Sequence, residues 1–360
     1  MLYDAVKDIM DDSMQNHDVP FSDIAISKDN EIVLRYKNGP INGDELYFLY
    51  SASKPITCTA ALQLYEKGLL NLDDYVYKYI PEYEHMKVKT EDGIKDVKDA
   101  QNPITIRHLF TMTSGINYNI GSKSIKETVL ENPNASTMDI VKAIAKEPLE
   151  FEPGTHWQYG LSHDVLAGII EIVAGMSFGE YLKINIFEPC GMEKTYLHCN
   201  NDMPVCDQYR YDSVKNLIVP MEKENGFIIT PNYESGGAGI ISCVDDYIKF
   251  ESTLINTERL LKRETLCLMN TPQISGSAYK DFQKSKKGYS YGLGVRTNAD
   301  GAFSVKGEFG WDGAAGAYVL MDPENHIAVF YATHIRDYGF YQYEDLHLKL
   351  RDVVYKYLDN

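Results

Sequence analysis

Apolar residues recur every three or four positions in several stretches of the chain, the spacing that gathers them on one face of an α-helix. Residues 3–16 show it with Val6, Ile9, Met10 and Met14. The same kind of pattern predicts further helices over residues 54–68, 105–113, 136–147, 162–176, 177–187, 244–255, 258–270 and 343–358. The chain is therefore expected to be rich in helices.

Other stretches are rich in β-branched and aromatic residues and are bounded by turn residues, which is typical of β-strands. The predicted strands cover residues 21–27, 31–39, 44–50, 289–297, 302–310, 316–322 and 326–334. The sequence Lys-Asp-Asn at 28–30 predicts a hairpin between the first two strands, and Pro-Glu-Asn at 323–325 predicts another between the last two.

Local signals refine the boundaries of these elements. Ser177 with Glu180, and Ser242 with Asp245, have the capping-box spacing that marks a helix start. Residues 275–288 are polar and contain glycine and several lysines, so we predict a loop there.

Predicted strands and helices occur together near both ends of the chain, and the block between them has few convincing strands. We therefore predict an α+β fold in which residues 1–75 and 225–360 form one α/β domain. Residues 76–224 then form a mostly helical inserted domain.

Composition narrows the range of partners. The formal net charge is −17, with 52 acidic against 35 basic side chains. Such a surface repels phosphate backbones and anionic membranes, so we expect neither nucleic acid nor a membrane as partner. No apolar run approaches the roughly 18 residues of a membrane span. The sequence leaves the oligomeric state open.

The six cysteines are scattered without a CxxC pair, which argues against a zinc cluster or a dense disulfide framework. The first residues are acidic and amphipathic and lack the basic start and apolar centre of a secretory signal. We therefore expect a cytoplasmic protein with reduced thiols.

A candidate for nucleophilic chemistry is the S-x-x-K pair formed by Ser51 and Lys54. The spacing alone is weak evidence, because Ser277 and Lys280 share it. Context separates the two pairs. Ser51 stands where a predicted buried strand meets a helix, whereas Ser277 lies in the predicted polar loop.

On a helix, side chains three residues apart share one face, so Lys54 can reach the hydroxyl of Ser51. A serine becomes a nucleophile when a base accepts its proton. The unpaired N–H groups of a helix start also favour an oxyanion beside it. The alternative is an ordinary N-cap serine with Lys54 as a solvated charge.

Two further segments are candidates for the same site. Tyr159 follows a Pro-Gly turn and directly precedes a predicted helix, although it can equally be a packing tyrosine. Residues 310–316, Gly-Trp-Asp-Gly-Ala-Ala-Gly, are mostly small, which permits close backbone approach to a ligand or tight packing of a central strand.

Together these segments resemble the serine β-lactamase and penicillin-binding-protein superfamily, for which S-x-x-K is a known signature. Class C β-lactamase-related esterases of the family VIII kind and D-amino-acid peptidases are the most similar members. The matching segments are residues 49–74, 105–116, 151–175, 186–195, 235–250, 291–295 and 309–334. The resemblance implies a β-lactamase/transpeptidase-like fold, with an antiparallel sheet flanked by helices and the active site at the interface with the inserted domain.

The resemblance also implies roles for particular residues. Ser51 matches the acylated serine, Lys54 the lysine one turn later, and Tyr159 the tyrosine that assists proton transfer. The backbone N–H groups of Ser51 and Ala314 match the oxyanion hole. The third motif of the family, usually Lys-Thr-Gly, corresponds to the substrate-binding segment Trp311-Asp312-Gly313.

Three positions depart from the β-lactamase pattern. Leu161 stands where an asparagine normally contacts the substrate amide. Trp311 replaces the lysine that helps to hold the β-lactam carboxylate. Unless it is protonated or points away, Asp312 would repel an anionic substrate at a cost of about 4 kcal/mol for charges about 4 Å apart. We therefore expect neutral or cationic esters or amides to be preferred over β-lactams.

The function expected from the sequence is that of a serine hydrolase acting through a Ser51 acyl-enzyme on small esters or amides, with weak or no β-lactamase activity. No metal or organic cofactor is expected. The alternatives are an acyltransferase or a D-amino-acid peptidase using the same site, and a non-catalytic binding or assembly protein that keeps the fold. Whether Lys54 or Tyr159 is the formal base stays open, because coupled groups share their titration.

Overall fold

The computed structural model describes residues 1–90, 97–200, 202–298, 307–338 and 340–358. The α-helices are α1 Leu2–His17, α2 Lys54–Glu66, α3 Ile106–Phe110, α4 Lys123–Glu131, α5 Thr137–Ile144, α6 Ser162–Ala174, α7 Phe178–Leu182, α8 Glu188–Cys190, α9 Val244–Asn256, α10 Arg263–Asn270, α11 Gly276–Ser285 and α12 Phe340–Leu358. Short 3₁₀ turns lie at Tyr50–Ser53, Val76–Lys78 and Pro81–Tyr83, and a π-helical turn at Lys183–Phe187 joins α7 to α8.

Antiparallel pairing builds the main sheet. The strands are β1 Ser22–Lys28, β2 Glu31–Asn38, β3 Tyr47–Phe48, β4 Lys87–Lys89, β5 Val97–Asp99, β6 Gln208–Asp212, β7 Leu217–Met221, β8 Ile241–Ser242, β9 Tyr289–Tyr291, β10 Arg296–Asn298, β11 Phe309–Gly310, β12 Tyr318–Asp322, β13 Ile327–Ala332 and β14 Ile335–Arg336. Among the described residues, seven of them form one sheet in the order β2-β1-β13-β12-β11-β10-β9.

Both predicted hairpins are confirmed, and each has a local cause. Asp29 and Asn30 adopt positive φ angles of 51° and 67° between β1 and β2, as a tight two-residue turn requires. The carboxylate of Asp322 accepts the backbone N–H groups of Glu324 and Asn325, both at 2.9 Å, and so closes the turn between β12 and β13.

Helices cover both faces of the sheet. On one face α1 and α12 pack their apolar side chains, such as Val6 and Leu350, against β1, β12 and β13. On the other face α9 packs on β1 and β13, and its Tyr247 ring stacks on Phe330 at 4.1 Å. The central strands are buried on both sides, so β13 reads as an unbroken apolar run.

Residues 76–224 contain α3 to α8 and also two strand pairs. The strands β4 and β5 pair with each other, while β6 and β7 form a second sheet in which β6 pairs in parallel with β14. The β6–β14 pair connects residues 208–212 to the C-terminal part of the chain. The helices α2 and α6 pack directly together, one from each predicted domain. Tyr159 lies just before α6, on this junction.

Three local predictions are wrong. Residues 289–297, predicted as one strand, form the antiparallel strands β9 and β10. Residues 276–285 form α11 instead of a loop, because Ala278 and Phe282 give this polar segment one buried face. Ser242 does not cap α9; Cys243 occupies the N-cap position, and the Ser242 hydroxyl lies 2.7 Å from that of Thr195. Residues 302–306 of one predicted strand lie outside the described part of the chain.

Across the described ranges, no single helix combines the length and the apolar character needed to cross a membrane; only the sharply bent pair Ser162–Ala174 and Phe178–Cys190 does so jointly.

Candidate active site

Ser51 is presented by a strained turn. The chain leaves β3 and passes through Tyr50, whose φ of 48° lies in the left-handed region. A non-glycine residue pays about 1–3 kcal/mol for such a conformation, so the surroundings must hold it. The Tyr50 ring packs against Phe227 and His334, and its hydroxyl donates to the side chain of Gln208. The next residue, Ser51, lies in the 3₁₀ turn that leads into α2.

Lys54, the first residue of α2, is completely buried. Its Nζ donates to the carbonyl oxygen of Gly237 at 2.6 Å and lies 3.4 Å from Ser51 Oγ. The same nitrogen lies 4.6 Å from the centre of the Tyr159 ring. The structure thus brings together Ser51, Lys54 and Tyr159. Because Lys54 is buried, it is not the solvated charge that accompanies an ordinary N-cap serine.

Tyr159 is held by Trp311. The indole N–H of Trp311 donates to the phenolic oxygen of Tyr159 at 3.0 Å, and the two rings stack with centres 5.5 Å apart. Gly160 follows, where a Cβ would overlap the carbonyl oxygen of Ile116. The Trp311 N–H is aimed at the atom that would carry negative charge if Tyr159 acted as a base.

The two residues whose backbone N–H groups are predicted to form the oxyanion hole share one cavity. Ser51 and Ala314 both line it, and among the described residues neither N–H donates to a backbone group outside its own helix or strand. Gly313 packs so closely that a Cβ there would lie 2.6 Å from the carbonyl oxygen of Leu49. Glycine at this position therefore lets the 313–316 turn approach the backbone that leads to Ser51.

The cavity has a volume of about 490 Å³, within the usual range for small-molecule sites. Aromatic and small residues dominate its wall. The lining residues are Ser51, Trp157, Tyr159, Ser285, Lys286, Trp311, Asp312, Gly313, Ala314, Gly316, Asp337, Tyr338 and His347. Among the described residues, no group of three or more His, Cys, Asp and Glu side chains is arranged to hold a metal ion.

Comparison with known proteins places this geometry in a family. Residues 6–351 match the β-lactamase family model. The chain belongs to the β-lactamase family. An acyltransferase of Penicillium decumbens named CalJ is 29% identical over 329 residues, covering 83% of this chain and 78% of that protein. The esterase EstB of Burkholderia gladioli is 27% identical over 258 residues, 62% of each protein.

The solved structures agree on the fold. EstCE1, described as a hydrolase with promiscuous acyltransferase activity, superposes with a TM-score of 0.81 at 22% identity and covers 98% of each chain. The predicted β-lactamase-like fold, with its antiparallel sheet and flanking helices, is therefore confirmed. The predicted relationship to serine hydrolases is confirmed as well.

Asp312, on the family's third motif, does not act as an uncompensated charge. Arg296 Nη1 lies 2.7 Å and Lys286 Nζ 3.2 Å from its carboxylate oxygens, and the Val319 N–H donates to it at 3.3 Å. Burial alone would raise the pKa of Asp312, but the two cations lower it to about 2. The expected repulsion of anionic substrates is wrong, because Arg296 and Lys286 offset the charge of Asp312. The sequence did not show this, since both residues are distant from Asp312 along the chain.

Leu161 also requires a correction, because the structure does not bring it to the cavity. It is 4% exposed, packs in the main core and lines a separate small cavity beside Ile116 and Leu149. Its backbone N–H donates to the carbonyl oxygen of Asn117 at 3.1 Å. Leu161 is therefore a packing residue, and the substrate-amide contact of the β-lactamases is missing at this position.

The second S-x-x-K pair lies elsewhere. Ser277 and Lys280 are exposed on α11 and do not line the cavity. Sequence reasoning missed Lys286 and Gly237. Lys286 follows the helix that was predicted as a loop. Gly237 belongs to the run Ser-Gly-Gly-Ala-Gly at 235–239, whose small residues were a signal of close backbone approach.

Replacing Trp311 by phenylalanine would keep the stacked ring and remove the hydrogen bond to Tyr159. Hydrogen bonds to charged groups are worth about 1.5–3 kcal/mol, so we expect kcat/KM for an ester to fall by about tenfold or more. Trp157→Phe is the matched control, since the Trp157 indole N–H has no partner within the described ranges. Steady-state assays of both variants check this, and equal losses would contradict a special role for the Trp311 N–H.

Proposed function

We propose that this chain is a serine hydrolase that forms an acyl-enzyme on Ser51 and acts on small esters or amides, with esters preferred. The observation that carries the proposal is the position of the Ser51 hydroxyl, 3.4 Å from the buried Lys54 Nζ and at the edge of the 490 Å³ cavity. An N-cap serine with a structural role would need neither a buried lysine nor access to a cavity.

Catalysis in this proposal follows from the groups around Ser51. The Lys54–Tyr159 pair accepts the hydroxyl proton while Oγ bonds to the substrate carbonyl carbon. The carbonyl oxygen becomes an oxyanion that accepts hydrogen bonds from the backbone N–H groups of Ser51 and Ala314. The proton then passes through Tyr159 to the leaving oxygen or nitrogen as its bond to carbon breaks. A water molecule repeats the sequence to release the acid and restore Ser51.

An acyltransferase is the second candidate. The cavity is large enough to hold an acyl group and part of a second molecule. The relative CalJ, of which 78% aligns with this chain, is named an acyltransferase. An alcohol or amine would then replace water in the second half of the reaction. A D-amino-acid peptidase would use the same residues on an amide.

For the protein's location we propose the cytoplasm, where its six unpaired thiols would stay reduced.

A fluorophosphonate probe tests the nucleophile. We expect it to label the wild-type protein on the peptide that contains Ser51, as read by mass spectrometry, and Ser51→Ala to remain unlabelled and lose at least about a thousandfold in kcat. Ser277→Ala is the matched control and should label like the wild type. Failure to label the wild type, or equal labelling of Ser51→Ala, would favour the non-catalytic alternative.

Substrate class is tested by comparing a p-nitrophenyl ester of a short acid with nitrocefin. Because Leu161 leaves the amide contact of the β-lactamases unmade and Trp311 replaces their lysine, we expect kcat/KM for nitrocefin to be lower by about a hundredfold, the cost of two lost polar contacts. Rapid nitrocefin hydrolysis with little ester hydrolysis would refute this preference.

The second candidate makes a separate prediction. With a p-nitrophenyl ester and an added primary alcohol, a transferase forms a new ester in an amount that grows with the alcohol concentration, as measured by chromatography. A hydrolase releases only the free acid. If no new ester forms at any alcohol concentration, the transferase is excluded. The Ser51→Ala variant controls for uncatalysed transfer.

A further inference from the structure

Asp164 is a buried carboxylate close to the proposed active site. It lies in the first turn of α6, five residues after Tyr159, and is 1% exposed. The N-terminal turn of a helix favours a negative charge. None of the proton-transfer steps described above uses this residue, so its burial needs another explanation.

The two oxygens of this carboxylate have different surroundings. Oδ1 accepts from the Tyr233 hydroxyl at 2.6 Å, the Ser235 hydroxyl at 2.6 Å and the Gly237 N–H at 3.3 Å. Three donors on one oxygen are the arrangement of an anionic carboxylate, which only accepts hydrogen bonds. Oδ2 is buried and has no hydrogen-bond partner within the described ranges. Oδ1 therefore fixes the side chain, and Oδ2 is left to act through its charge.

Gly237 lies between this carboxylate and Lys54. Its N–H donates to Asp164, and its carbonyl oxygen accepts from Lys54 Nζ at 2.6 Å. A Cβ on Gly237 would stand 2.7 Å from Asp164 Oδ2 and 3.4 Å from Lys54 Nζ. Asp164 Oδ2 and Lys54 Nζ are therefore at most about 6 Å apart. Unit charges at that separation inside a protein interact strongly.

Among the residues that the structure describes, the other groups near Lys54 carry no negative charge that could replace Asp164. The rings of Tyr118 and Tyr159 lie beside its ammonium, and the Cys58 thiol and the His163 imidazole are close enough to feel its charge. Burial raises the pKa of the Cys58 thiol and lowers the pKa of His163 to about 3, so both are neutral. Tyr233 is held as a donor to Asp164.

We propose that Asp164 is a positioning residue that keeps Lys54 in its ammonium form, so that the proton of Ser51 passes to Tyr159. This inference rests on the proposed function. Lys54 keeps its three protons throughout, donates to Gly237 and Ser51, and stabilises the negative charge that develops on the Ser51 oxygen as its proton leaves. When the bond from Ser51 Oγ to the acyl carbon forms, the Ser51 hydroxyl proton moves to the Tyr159 oxygen while the Tyr159 hydroxyl proton moves to the leaving group, whose bond to carbon breaks.

The first test is the pH dependence of kcat/KM for a p-nitrophenyl ester in Asp164→Asn, which is nearly isosteric and removes the charge. Without the nearby anion the Lys54 ammonium is less stable, so it loses its proton at lower pH. We expect the alkaline limb of the profile to move down by about one pH unit or more, with kcat falling and KM nearly unchanged. An unmoved alkaline limb would overturn the proposal.

Glu234→Gln is the matched control for removing a buried charge from this region. Glu234 belongs to the same 233–237 segment, but its carboxylate accepts from the Gly179 N–H and faces His198 instead of Lys54. It should leave the alkaline limb in place. An equal shift in this control would show that the effect is not specific to Asp164.

The second test does not depend on activity. Thermal unfolding is measured for Asp164→Asn in the wild-type and in the Lys54→Met background. If the two charges compensate each other, the substitution lowers Tm clearly in the wild type and by less, or not at all, in Lys54→Met. Equal losses, or unfolding of Asp164→Asn in both backgrounds, would show a purely structural role and refute the proposal.

The two tests also separate this inference from the proposed function. If the fluorophosphonate fails to label the wild type while the Tm values are coupled, the charge pair stands and the hydrolase proposal fails. If labelling succeeds and the coupling is absent, the hydrolase proposal stands and the role of Asp164 is refuted.

Discussion

The complete burial of the Lys54 side chain is the constraint on which the rest of the site depends. A charge with no exposure costs several kcal/mol unless protein groups replace its water. Here the replacements are the Gly237 carbonyl oxygen, the Ser51 hydroxyl and the face of the Tyr159 ring. They come from the segment before β8, from the 3₁₀ turn that precedes α2 and from the loop before α6, so the site forms only when these three segments are packed together.

Trp311, predicted to stand where the family has a lysine, lies in the cavity wall with Tyr159, Lys286 and Asp312. The indole gives Tyr159 a neutral donor and a stacked neighbour. Positive charge is supplied by Lys286, just after α11, and by Arg296 in β10, which both lie against Asp312.

Much of the fold was predictable because its signals are local. Hairpins such as the one at 28–30 depend on a few turn residues, and the buried strands depend on unbroken apolar runs. The helix at 276–285 was missed because only Ala278 and Phe282 mark its buried face among polar neighbours. Likewise Cys243 occupies the N-cap position of α9, without a side-chain cap hydrogen bond, although Ser242 fits the capping pattern; the Ser242 hydroxyl lies instead against that of Thr195.

By itself the sequence determined the fold class, the family and the residues Ser51, Lys54 and Tyr159 as candidates, because these rest on residue identity and order along the chain. Only the tertiary structure decided what the charges do. Asp312 appears in the sequence as an isolated carboxylate, yet Arg296 and Lys286 neutralise it in space. Electrostatic energy depends on distance and burial, and neither can be read from separation along the chain.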